Sequence, residues 1–125
     1  MANIGYAKYQ AISLEGDAAY EEMYTRLARW TGEAATFHLV GKAAEAEAKL
    51  DRCIEVLGYM DRAIDLSHSH DIAVAILSLH RFAISTLVKA KSERTIEDLD
   101  PLVKLFLSLA EIFAAIRASR SDAGV

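Results

Sequence analysis

Helix breakers are so sparse in this chain that little but helix fits it. One proline and six glycines stand in 125 residues. Between them apolar residues return every third or fourth position, without the sustained alternation that a half-buried strand needs. The few marks fall where helices should begin and end. Asp17 is placed to cap a helix running to about Phe37, with Tyr20, Met23, Tyr24, Leu27, Trp30 and Ala34 as its core stripe. Gly41 separates it from a long segment, about Lys42 to Leu66, with the stripe Ala43, Ala46, Leu50, Ile54, Leu57 and Ile64. Ser67-His68-Ser69-His70 links that segment to one lasting to about Lys91, where Lys89, Lys91 and Arg94 suit the negative pole of a helix dipole. Asp100-Pro101, a capping carboxylate followed by proline at the first helical position, predicts a last helix to about Ala118. Its stripe is Leu102, Leu105, Phe106, Leu109, Ile112, Phe113 and Ile116.

The near-heptad spacing and short links predict an all-α fold, an antiparallel four-helix bundle with a short additional N-terminal helix at about Tyr6 to Ile12. Residues 1–125 form one domain in this reading, with 1–15 as an N-terminal segment and 119–125 as a frayed tail. A mass of 13.7 kDa lets such a chain bury about two thirds of its extended surface, enough for a core without staples. Hydrophobic residues at 53% and charged residues at 26% exclude a largely disordered chain.

Charge and cysteine usage narrow the function. Fourteen basic against 18 acidic residues, a net charge of −4, argue against a nucleic-acid partner, which calls for a basic field. Cys53 stands alone and forms no internal disulfide, and Met1 to Lys8 lacks the apolar stretch of a secretory signal, so the cytoplasm is the expected compartment. The apolar run Ile72 to Val88 is interrupted by His80-Arg81 and falls short of the roughly 20 residues of a membrane span. It reads as a helix buried within protein, with no membrane insertion.

Catalytic signatures are missing: there is no Gly-rich phosphate loop, Cys-x-x-Cys, His-Glu-x-x-His or Gly-x-Ser-x-Gly. Neither an enzyme nor a cofactor is expected. His68-Ser69-His70-Asp71 is the best metal candidate, but two histidines in a turn without a second ligand pair normally face solvent. Glu47, Asp51 and Glu55 recur on one helix face beside Lys49 and Arg52, the pattern of a solvated face. Cys53 reads as a small buried hydrophobe.

The informative anomaly is a surplus of apolar surface. Opposite its core stripe the second long segment carries Val56, Tyr59, Ala63 and Leu66. Opposite Ile72, Ile76, Leu79 and Ala83 the third carries Val74, Leu77, Ile84 and Val88, interrupted by Arg81. A surface helix needs only one apolar face. Three arrangements satisfy the second: cover by the first segment or a neighbouring helix, a groove for an amphipathic helix or extended peptide, or a homodimer in which a second copy meets these stripes.

Tyr9-Gln10, Met23-Tyr24, the stretch Val56-Leu57-x-x-Met60-x-x-x-Ile64-Asp65, then Asp71-Ile72-Ala73, Leu79-His80-x-Phe82 and Leu87-x-x-Ala90 follow one another in a characteristic order. In that order and spacing the chain resembles the bacterial flagellar secretion chaperones of the FliS family, over about Tyr9 to Ile116. It departs from the family pattern at Glu15-Gly16, Tyr20-Glu21-Glu22, Ser69-His70 and His80. The resemblance implies a cytoplasmic helical bundle that holds the disordered C-terminal segment of flagellin, prevents premature polymerisation and assists delivery to the flagellar export gate. It implies no enzymatic activity and no cofactor. A divergent member serving another secreted protein fits the same residues. Under the resemblance Tyr9 belongs to a segment lying over part of the client surface; with the surplus-stripe residues Val56, Tyr59, Val74, Leu77, Ile84 and Val88, read from periodicity, and their charged neighbour Arg81, it completes the expected client contacts.

Overall fold

The computed structural model describes residues 17–67 and 70–123. Over these it is all helical, with four helices and no strand: α1 (Asp17–Leu39), α2 (Ala43–Ser67), α3 (His70–Glu93) and α4 (Leu99–Ala123). The expected N-terminal helix lies outside the described residues.

The boundaries follow local chemistry. Gly41 ends α1 at φ 79°, in the left-handed region that glycine enters without a Cβ clash. The Lys42 N–H donates to the Phe37 carbonyl at 2.8 Å and so caps the last turn. Arg94, at φ 54°, performs the same turn after α3 without being glycine. Helix α4 starts at Leu99, so Asp100 is a first-turn carboxylate on the positive pole rather than the cap itself. Pro101 also falls in that turn, where its missing N–H costs no intrahelical bond. The helix continues to Ala123, beyond Ala118 and through most of the stretch expected to fray.

Helix α1 lies between α2 and α4, α3 packs on α2, and α3 approaches α4 least of all neighbouring pairs. Partners run in opposite directions along each pair. Thr31 faces Cys53 and Glu33 faces Lys49 across α1 and α2, Asp61 meets His80 and Asp51 meets Lys91 across α2 and α3, and Glu21 meets Arg117 across α1 and α4. All six stripe residues of α1 are buried. They meet Leu50, Leu57 and Ile64 of α2, Leu87 of α3, and Leu102, Phe106 and Phe113 of α4 in one cluster. The rings of Tyr20 and Tyr24 sit 5.1 and 5.6 Å from that of Phe113 and join α1 to α4. Each large side chain so buried is worth about 1.5–3 kcal/mol, whereas the exposed ion pairs contribute about 0–1. Packing, not surface charge, therefore decides the fold.

Three stripes differ from expectation. On α4, Leu105 is half-buried and Ile112 and Ile116 are exposed. Ala43 is exposed at the open end of α2, and Ile54 is only half-buried. On α3 the inward face is Ala73, Ile76, His80, Ala83, Leu87 and Ala90, spaced alternately by three and four residues, and Leu79 is exposed. The side chain of Ile72 lies outside the described residues. The stretch Ala73–Glu93 holds an 18-residue window of mean hydropathy 1.4 and so has the length and composition of a membrane span, beyond the shorter run to Val88. In this structure its inward face, including a polar imidazole, packs within the bundle.

Cys53 is fully buried beside Thr31 Oγ1 at 3.6 Å, and burial pushes its thiol up to about 11. The folded state then keeps a proton that the unfolded chain releases near pH 9, so stability falls as pH rises between those values. The contribution of this one group is about 1.4 kcal/mol per pH unit. Denaturant midpoints from pH 9 to 11 should decline more steeply in the native sequence than in Cys53→Ala, and parallel slopes refute the assignment.

Candidate functional site: an apolar seam between α3 and α4

The expected contact residues do not form one surface. Tyr9 lies outside the described residues. Val56 is 0% exposed and belongs to the core, because α2 is covered on its α1 side as well as on its inward face. Its expected place on an outward stripe is corrected accordingly. Tyr59 and Ala63, half-buried, lie on that same α1 flank, since residues at this angle of α2 include Arg52, which stacks over Trp30 of α1 at 5.0 Å. The Leu66 side chain lies outside the described residues. Val74, Arg81 and Val88 are exposed, with Leu77 and Ile84 half-buried against the core. These five occupy the side of α3 that turns toward α2, the side from which Lys91 reaches Asp51 at 2.8 Å. The hydrogen bond to Asp51 and its charge hold that lysine's pKa above its ordinary value.

The larger apolar opening lies on the other side of α3. Phe82, 60% exposed, joins Ser85, Thr86 and Lys89 of α3 with Asp98, Pro101 and Leu102 around a cleft of about 260 Å³. Lys89 and Asp98 face each other across it at 3.8 Å. One helical turn before Phe82, exposed Leu79 continues this wall. On α4, Leu105, Ile112 and Ile116 share the flank turned away from α1, because Arg117 meets Glu21 from the opposite flank at 2.5 Å. Leu105 is half-buried, while Ile112 is 53% exposed and Ile116 is also exposed. The seam is open because α3 and α4 part, leaving two facing apolar walls uncovered.

Sequence reasoning assigned Leu79, Leu105, Ile112 and Ile116 to core stripes and Phe82 to none. The available signal was width. On α4, Leu99, Leu102, Phe106 and Phe113 already supply an inward stripe, so Leu105, Ile112 and Ile116 widen the apolar arc beyond what one core face uses.

Beneath the α3 wall lies the principal buried polar group. His80 is 0% exposed. Its Nδ1–H donates to Asp61 Oδ1 at 2.5 Å, and its Nε2 shares a hydrogen bond with the Tyr24 hydroxyl at 2.7 Å. A carboxylate can only accept, which places a proton on Nδ1. Burial, then the neighbouring Tyr20 and Asp61, push the Tyr24 phenol far above its ordinary range, so it remains a donor. A histidine paired with a carboxylate is the vocabulary of a general base, but both nitrogens of this ring are engaged and no solvent reaches it. Its role is structural. Among the described residues, no three His, Cys, Asp or Glu side chains group to hold a metal.

Residues 5–120 match the family model of the flagellar protein FliS. The chain belongs to the FliS family. Membership implies a flagellar export chaperone for flagellin, in a family of chaperones rather than enzymes. No curated protein and no solved structure matches the chain. In this FliS chain, a surface without reactive groups but with two uncovered apolar walls is suited to holding another polypeptide.

Two aspartates separate core from surface. Val56→Asp buries an unpaired charge and should abolish cooperative unfolding, whereas Val88→Asp should change stability by no more than about 0.5 kcal/mol. Thermal melts followed by circular dichroism check both, and a stable Val56→Asp protein contradicts the packing described.

Proposed function

We propose that this chain is a cytoplasmic export chaperone that holds the disordered C-terminal segment of flagellin in the α3–α4 seam, keeping it from polymerising until the flagellar export gate receives it. The carrying observation is the open seam itself. Two adjacent helices that part along apolar walls present ridges and a groove, into which an amphipathic client helix fits as a further member of the bundle. Phe82, Leu79, Ile112 and Ile116 supply the anchors, and Lys89 and Asp98 at one end orient the client by charge.

The strip of Val74, Leu77, Ile84 and Val88 with Arg81 is the second contact in this reading, used by the remainder of a long client. Neither contact involves a cofactor. An unfolded segment that orders on binding spends part of its interaction free energy on that ordering, so the client binds more weakly than its buried area suggests. Such binding is reversible, as an export substrate requires.

Calorimetric titration with the C-terminal segment of flagellin tests the reading. One-to-one binding with a negative heat-capacity change is expected. Phe82→Asp and Ile112→Asp should each weaken it by about 30-fold or more, the loss typical of a central anchor. Val88→Asp should have the smaller effect, and the reverse order moves the primary site to the α2 side of α3. No binding by a folded monomer removes flagellin as the client. A concentration-independent mass of twice 13.7 kDa in light scattering assigns the seam to a second copy instead.

A further inference from the structure

We propose that Tyr24, His80 and Asp61 form a rotational lock that holds α3 in the orientation leaving the α3–α4 seam open, so that His80 is a positioning residue for docking. This rests on the reading of the seam as the client site. The hydrophobic effect by itself favours closing that seam, since exposed Phe82, Leu79, Ile112 and Ile116 all lose water when α3 and α4 come together. At about 100° per residue, Leu79 sits a little over a quarter-turn from His80, on the α4 side. Rolling α3 by that amount carries Leu79 into the core and Phe82 toward the seam floor. It also swings the imidazole away from Tyr24.

Directional bonds oppose the roll. His80 is bonded at both nitrogens, to α1 through Tyr24 at 2.7 Å and to α2 through Asp61 at 2.5 Å. Helices α1 and α3 are diagonal in the bundle and their backbones do not approach, so the Tyr24–His80 bond crosses the middle of the core. Edge-on contact of the two rings at 5.7 Å, and tilted contact of Tyr24 with Phe113 of α4 at 5.6 Å, leave little room for a different angle. A roll would leave the fully buried Tyr24 hydroxyl without its partner, a penalty that no apolar contact replaces. Apolar packing tolerates several rotations of a helix, whereas a two-ended hydrogen bond selects one.

The test replaces both buried polar groups together, Tyr24→Phe with His80→Leu, since Asp61 reaches solvent and needs no substitute. The four phenylalanines are labelled with fluorophenylalanine, and Phe82 is followed by the solvent sensitivity of its ¹⁹F resonance. The variant should keep its helicity, shield Phe82, and bind the flagellin C-terminal segment about tenfold more weakly, because the open state becomes a minor one. Asp61→Asn retains an acceptor for Nδ1–H and should match the native protein in both readouts. Unchanged exposure of Phe82 in the folded double variant overturns the lock. If the double variant does not fold, Asp61→Leu decides alone: shielding of Phe82 upholds the lock and unchanged exposure overturns it. Shielding in the variant with no client binding by the native protein upholds the lock and removes the client reading.

Discussion

Burial of α1 is the interaction on which the remaining helices depend. Its stripe from Tyr20 to Ala34 is closed by α2 on one flank and α4 on the other, and the Tyr20, Tyr24 and Phe113 rings join the α1–α4 side. Once α1, α2 and α4 have closed around that stripe, α3 has only part of the core left to share. It packs on α2, sends His80 to the centre, and meets α4 weakly. The open seam follows from this inequality, not from a shortage of apolar residues on either wall.

Such a division separates stability from binding. Residues that hold the fold, such as Leu27, Leu57, Phe106 and Phe113, are buried among themselves. The exposed seam residues Leu79, Phe82, Ile112 and Ile116 stand outside that cluster, so in the proposed function their size is free to suit a client. The cost is an exposed apolar surface, which in a small protein favours self-association. A net charge of −4 and the Lys89–Asp98 pair at the edge of the seam oppose it.

Some of this was legible in the sequence. The α1 stripe was, because a helix with one covered face shows its period plainly and all six positions are buried. Val56 was not, because α2 is covered on two sides and periodicity cannot tell a second buried face from an exposed one. Leu79, Ile112 and Ile116 were read as core for the converse reason: an apolar arc records which residues avoid water in some state of the protein, including a bound one. The spacing of residues along a helix says nothing about where two helices part. His80 stood out as a polar residue on an apolar helix, yet its partners are 56 and 19 positions away, a pairing that no local pattern encodes.

Family membership and the geometry carry different parts of the functional conclusion. The match over 5–120 gives the family's role, and the seam is the place proposed for it in this chain. Neither implies the other, since a bundle with a covered seam would match the same family pattern at most positions. What connects them in the proposed function is a client taken to be an unfolded segment with apolar helical faces. A surface that acts only by excluding water suits such a client: it forms no covalent bond and binds through faces that many amphipathic helices share. The selectivity proposed for it rests on geometry, and in the proposed lock the geometry of the α3 wall turns on how one buried imidazole is held.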